Sequence, residues 1–468
     1  MPLKPVETAG SPQAEPILPL ATGAARSNDW SHWINSADRD LTLMSRPAAL
    51  SRSSLALDNL RALVILIVLA FHSALAYVEW SPATSSGFDD PPYGWRAFPI
   101  VDSHRWFGFD LFCAWQDVYL MALMFLLSGL FVWPSLMRKG NRAFVRDRLL
   151  RLGVPFAFGV VFLIPIAVYP AYRVTGADPS PSAYWQHYLA LPFWPNGQLW
   201  FLWQLLALNF LVVGLHWIAP NALKALGRWS AAAGKRPRRY FAALTAASAL
   251  AYVPLALAFT PWAWSDSGLL AVQFSRPLLY AVYFFAGLGI GVEGIDCGLT
   301  AVDGALARRW ALWLAAALAS LLLWMGLTSL TMNGPAPIGI DIAADLSFVL
   351  ACAAGSLFLI AASLRFAAKR SRILASLSAT AYSLYLVHYD FVVWLQYALL
   401  ASTLFAVIKG AIVFAGTLVL SWITTLAVQR LPFGARLIGA TPRALATPKS
   451  RSRSPAGLYA RLRQFVSQ

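Results

Sequence analysis

Ten long runs of apolar residues, separated by short polar stretches, fill most of the chain between residues 56 and 428. They fall at about 56–78, 107–133, 149–171, 198–218, 240–260, 275–292, 310–330, 341–364, 374–398 and 403–428. Wound as helices, runs of this length match the hydrocarbon thickness of a bilayer. In that solvent every backbone polar group needs a partner inside the protein. The pattern therefore predicts an all-α, polytopic integral membrane protein with about ten transmembrane helices. A composition of 58% hydrophobic and 12% charged residues, with 20 tryptophans, lies far from soluble-domain averages.

The net charge of +16 could point to nucleic acid, but its placement points elsewhere. Summed over alternate connections, Lys and Arg number 31 on one side of the spans and 4 on the other, the four being Arg96, Arg105, Arg173 and Arg276. A cytoplasmic side marked by basic loops gives this asymmetry, and it places both termini in the cytoplasm. Nucleic-acid binding is excluded on the same pattern, and the bilayer is the expected partner.

Three parts follow. Residues 1–54, rich in Pro, Ala and Ser, predict a disordered cytoplasmic extension. Residues 55–430 form the transmembrane domain, and 431–468 a basic cytoplasmic tail. Cys113, Cys297 and Cys352 have neither metal-ligand nor disulfide spacing, so no metal is expected. The outer loops carry Trp80, Tyr93, Trp95, Trp106, Tyr184, Trp185, Trp194, Trp262 and Trp264. An interfacial aromatic belt accounts for most of them, although loops 79–106 and 172–197 are long enough to help bind a ligand.

Polar residues inside spans mark candidate chemistry, because burying them in lipid is costly. Arg61 and His72 lie eleven residues apart in the first span, on one helix face and about 16 Å apart along the axis. By rise per residue, His72 lies about 22 Å from the inner end, Asp117 about 24 Å, His388 about 21 Å and Gln204 about 20 Å. Four polar side chains thus share a level, with His72 the candidate catalytic base or nucleophile and Asp117 the candidate to orient it. His388 and Gln204 are candidates for binding substrate, or alternatively core and helix-bridging groups. Arg142, Arg146, Arg148 and Arg151 gather at the inner entrance of the third span, where guanidinium groups favour a phosphate-bearing ligand that Arg61 could also reach.

The motif Leu57-Asp58-Asn59-Leu60-Arg61 with His72 resembles the first-helix motif of the membrane acyltransferase 3 family. Phe125-Leu126-Leu127-Ser128-Gly129, the Arg148/Arg151 pair and Tyr382-Ser383-Leu384-Tyr385-Leu386-Val387-His388 extend the resemblance over about 55–428. It implies an enzyme of the bacterial inner membrane that takes an acyl group, acetyl or succinyl, from cytoplasmic acetyl-CoA or succinyl-CoA as co-substrate. The acceptor it implies is a hydroxyl of an envelope polysaccharide or glycolipid. It further implies catalysis at His72 and coenzyme A handling by Arg61, Arg148 and Arg151. Gly197-Gln198-Leu199-Trp200-Phe201-Leu202 is similar to the glucan-modifying branch. The alternative is a transporter or flippase for an envelope glycolipid, which explains a polar midplane but not the pairing of an arginine cluster with one deep histidine.

Overall fold

The computed structural model describes residues 51–80, 87–265, 268, 270–332, 334 and 336–431. Of the expected disordered extension 1–54, residues 1–50 lie outside these residues, while 52–54 already form the first turn of a helix capped by Ser51; of the expected tail 431–468, all but residue 431 lies outside. Among the described residues there is no strand, only two isolated β-bridges. The main helices are α1 Arg52–Ala74, α2 Phe107–Leu130, α3 Asn141–Val174, α4 Pro181–Ala190, α5 Trp200–Ile218, α6 Pro220–Gly234 and α7 Pro237–Phe259. They continue as α8 Pro277–Glu293, α9 Trp310–Thr331, α10 Ile338–Phe366, α11 Arg372–Leu399 and α12 Ala406–Gln429.

Every apolar run of the sequence is helical. Among the described residues eight helices are long and apolar enough to cross a membrane, and a ninth span results if Pro277–Glu293 is joined to Gly298–Arg308 across a 90° bend. That count is approximately the ten expected. The 28-residue α11 stands outside this set. It is the helix that carries Tyr385, His388, Asp390 and Gln396, and these polar groups lower its hydropathy.

Helix α1 is the hub, packed against α2, α10, α11 and α12. Ser51 sets where it begins, and Asn59 of the 57–61 motif sets where it docks. Ser51 caps the helix by accepting from Ser54 N at 3.1 Å. Asn59 donates from Nδ2 to Ala367 O at 2.7 Å and Lys369 O at 3.2 Å, satisfying carbonyls just past the end of α10.

Helices α2 and α8 approach closely enough to exclude any side chain at three glycines. A Cβ at Gly129 would lie 2.1 Å from Phe284 O, one at Gly287 2.0 Å from Leu126 O, and one at Gly291 2.2 Å from Leu130 O. Gly287 and Gly291 form a small-x-x-x-small pair, the usual device for bringing two helix backbones together in lipid.

Helix α3 is written by its prolines. It runs through two π-helical turns, Leu149–Gly153 and Gly159–Leu163. Pro155 removes the N–H that would close the α-helical bond to Arg151 O, and the Tyr382 hydroxyl donates to that carbonyl at 2.6 Å. Pro170 likewise removes the donor for Ile166 O, which accepts from Trp394 Nε1 at 3.0 Å. Two carbonyls freed by proline thus anchor α11 at points six residues either side of His388.

Candidate active site

Where α1 and α11 pack together, His72 and His388 meet. His388 is fully buried and His72 partly so. His388 Nε2 lies 3.2 Å from His72 Nδ1. His72 Nδ1 also lies 2.9 Å from Val68 O, and His388 Nδ1 lies 2.6 Å from Tyr385 O. Carbonyl oxygens only accept, so both imidazoles carry their hydrogen on Nδ1. His388 Nε2 is then an acceptor, sharing the His72 Nδ1–H with Val68 O. Among the described residues no protein group bonds His72 Nε2, and its lone pair stays available for chemistry.

The surroundings hold this pair in register. Gln396 donates from Nε2 to His72 O at 2.8 Å and to Ser73 O at 3.4 Å, where α1 tightens into a 3₁₀ turn. The Tyr389 ring stands edge-on to His72 with centroids 5.4 Å apart. Behind His388, the Tyr385 hydroxyl donates to Gln198 O, and Gln198 Nε2 donates to Leu386 O at 3.3 Å. The chain enters this clip at Gly197, whose φ of +44° and lack of Cβ let it pass Ile164 and the Tyr389 ring.

The arginines lie at the other end of α1. Arg61 pairs with Asp58 at 3.2 Å and covers the Phe131 ring at 5.1 Å. Arg148 stacks over Phe144 at 4.7 Å and has a buried, unbonded Nε. It interacts electrostatically with both Arg61 and Arg151, so the three form one basic cluster. Asp147 tempers that cluster, taking Lys139 at 2.8 Å and Arg151 Nε at 3.1 Å. Arg142 and Arg146 are exposed nearby on the same short helical segment.

Asp117 and Gln204, the other two polar residues of the expected set, make no hydrogen bond to the histidine pair. Asp117 forms a two-pronged ion pair with Arg276, at 3.0 Å and 2.6 Å, and makes no hydrogen bond to His72. The acceptor on His72 Nδ1–H that Asp117 was expected to supply is instead His388. Gln204 is buried in α5, with no hydrogen bond to either histidine. Gln396 was missed because a glutamine in an apolar run carries no signal of its partner. Lys409 was missed too: fully buried in α12, it pairs at 2.8 Å with fully buried Asp102 of the loop leading into α2.

A family model described as an acyltransferase domain matches residues 54–426. No curated protein and no solved structure matches the chain.

Proposed function

Because this chain belongs to the acyltransferase 3 family, an enzyme family whose matched domain spans residues 54–426, we propose that it is an O-acyltransferase working across the membrane. The donor is cytoplasmic acetyl-CoA or succinyl-CoA, and the acceptor is a hydroxyl of an envelope polysaccharide or glycolipid. The location is the bacterial inner membrane, with both termini cytoplasmic.

The observation that carries this reading is the available His72 Nε2 on the same helix as Arg61. Arg61, Arg148 and Arg151 take the phosphates of coenzyme A by charge-assisted hydrogen bonds. The pantetheine arm then runs along α1, where about 16 Å separates the levels of Arg61 and His72. As the acceptor oxygen attacks the thioester carbonyl, its proton passes to His72 Nε2. The tetrahedral intermediate collapses with cleavage of the C–S bond. The departing sulfur takes that proton back, leaving the ester and free coenzyme A thiol. His388 Nε2 and Val68 O hold the Nδ1–H throughout and stabilise the transient imidazolium, the role a carboxylate has in a serine-protease triad.

The test is release of free thiol from acetyl-CoA and succinyl-CoA by purified protein with an envelope glycan fraction. Wild-type release that His72→Ala loses supports the reading. Release that His72→Ala retains removes His72 from the chemistry.

A further inference from the structure

Residues 217–239 join α5 to α7 at the end of the bundle that holds the arginine cluster, since His216 Nδ1 lies 3.0 Å from Asn141 Oδ1 at the start of α3. Helix α6 fills most of this stretch, and small residues set one edge of it tightly against α8 and the turn beyond. A Cβ at Gly227 would fall 2.3 Å from Val292 Cγ1, and one at Gly234 would fall 3.0 Å from Leu299 N. The opposite edge is basic. Lys224 and Arg228 stand one turn apart, Lys235 comes round to the same side at the helix end, and Arg236, Arg238 and Arg239 follow at once. All six are exposed, and none has a side-chain hydrogen bond or ion pair among the described residues.

This charge is placed against the local rules of helix stability. Cations one turn apart on a helix repel each other. Arg238 and Arg239 lie in the first turn of α7, where the helix dipole favours anions, and no acidic residue shares that turn. The sequence has no acid between Asp178 and Asp266. Glu293 and Asp296, which lie between Val292 and Leu299, are exposed and form no ion pair with the six. A bias of basic residues to one side of a membrane explains their number but not these positions. A bound anion reverses both penalties. The apolar surroundings identify what carries it. Trp217 and Ile218, which end α5, are 82% and 78% exposed, and Trp229 of α6 is exposed as well. Large apolar side chains beside a basic helix edge suit the boundary between lipid headgroups and acyl chains.

We propose that residues 217–239 are a docking platform for anionic phospholipid of the surrounding bilayer. Its phosphodiester groups lie on the six cations, and its acyl chains lie against Trp217 and Ile218. None of these residues belongs to the candidate active site, so the platform is independent of the acyl-transfer reading.

The experiment uses full-length protein in a neutral detergent and measures binding of dioctanoyl phosphatidylglycerol by native mass spectrometry. Dioctanoyl phosphatidylcholine, whose headgroup is zwitterionic, is expected to bind about tenfold more weakly. The Arg238→Gln, Arg239→Gln double variant weakens phosphatidylglycerol binding about fivefold for each charge removed, while Arg238→Lys, Arg239→Lys keeps both charges and binds like wild type. Trp217→Ala weakens it about fivefold through lost apolar contact. The control is Lys369→Gln, Arg370→Gln, which removes two exposed cations at the same end of the bundle, where Asn59 of α1 holds Lys369 O. Its binding changes about twofold at most. Equal binding of the two lipids, unchanged binding by the glutamine variant at 238 and 239, or an equal loss in the control overturns the platform, because chains or net charge alone then account for the lipid. Glycerophosphoglycerol, the headgroup without chains, is expected not to bind. If it binds as tightly as the lipid, the segment takes soluble phosphodiesters and the lipid platform is overturned.

Discussion

His388 Nε2 stands 3.2 Å from His72 Nδ1 and accepts the hydrogen that this nitrogen carries. The two residues are 316 positions apart in sequence and lie on helices that share a long packed seam. Val68 O at 2.9 Å places that hydrogen on Nδ1, and His388 shares it, so Nε2 is left for the substrate. His388→Ala removes the second acceptor and the ring packed beside His72, leaving Val68 O alone to hold the imidazole and to stabilise its charged form. Turnover is expected to fall about a hundredfold at saturating donor, with the KM for acyl-CoA little changed. His388→Gln, whose amide oxygen can still accept, should retain more activity than His388→Ala. Unchanged turnover in the alanine variant would falsify the positioning role.

The donor end makes a separable prediction. Arg148 and Arg151 sit one turn apart at the first π turn of α3, and Arg61 interacts electrostatically with Arg148. Arg151→Lys keeps the charge but loses the planar fork that matches a phosphate. Its KM for acyl-CoA should rise about tenfold with kcat little changed, and Arg148→Gln should behave the same way. Raising ionic strength should weaken donor binding in wild type more than in Arg148→Gln, which has lost a charge, and about as much as in Arg151→Lys, which has kept it. A fall in kcat with KM unchanged would place these arginines away from the donor.

The helical, membrane-spanning architecture is legible in the sequence because apolar runs of bilayer length have few alternatives. The common depth of His72 and His388 is legible too, since it follows from rise per residue alone. Their contact is not, because lateral order and rotation depend on features with no local pattern. Asn59 reaching the end of α10 is one, and the proline-freed carbonyls of Arg151 and Ile166 that hold Tyr382 and Trp394 are others. Arg276 misleads for the same reason. Counted along the chain it is a loop cation, yet it is 3% exposed and turned inward at the start of α8, where it takes Asp117.

Lys409 and Asp102 have no exposed side-chain surface. Removing one partner leaves a buried charge uncompensated, whereas removing both leaves none. Lys409→Met should therefore lose about 3–5 kcal/mol of stability, and the Lys409→Met, Asp102→Asn pair should recover much of it. Thermal unfolding of the two variants in one detergent distinguishes them. Equal losses would mean that the pair itself, rather than the orphaned carboxylate, sets the cost.

The crossing of α2 and α8 predicts sharp steric limits. At Gly287 an added Cβ falls 2.0 Å from the Leu126 carbonyl oxygen, and backbone cannot swing aside as a side-chain end can. Gly287→Ala is expected to cost about 1–3 kcal/mol by forcing the helices apart. Gly326→Ala, where nothing lies within 4 Å, should be neutral or slightly stabilising because alanine favours helix. Unfolding midpoints of the two variants make the comparison.

Asp117 separates a structural carboxylate from a catalytic one. Both its oxygens are held by Arg276, whose guanidinium also lies 5.0 Å from the Phe348 ring, so the pair ties α2 to the start of α8 beside α10. Asp117→Asn keeps the shape and removes the charge, leaving a buried guanidinium without its counter-ion. The expected result is lower thermal stability, with a pH profile of turnover like that of wild type in the protein that stays folded. Arg276→Gln in the Asp117→Asn background should recover stability, since neither charge then remains. If Asp117→Asn instead shifts the pH profile while unfolding at the wild-type temperature, the carboxylate acts on the histidine pair and its bond to Arg276 is not its main role.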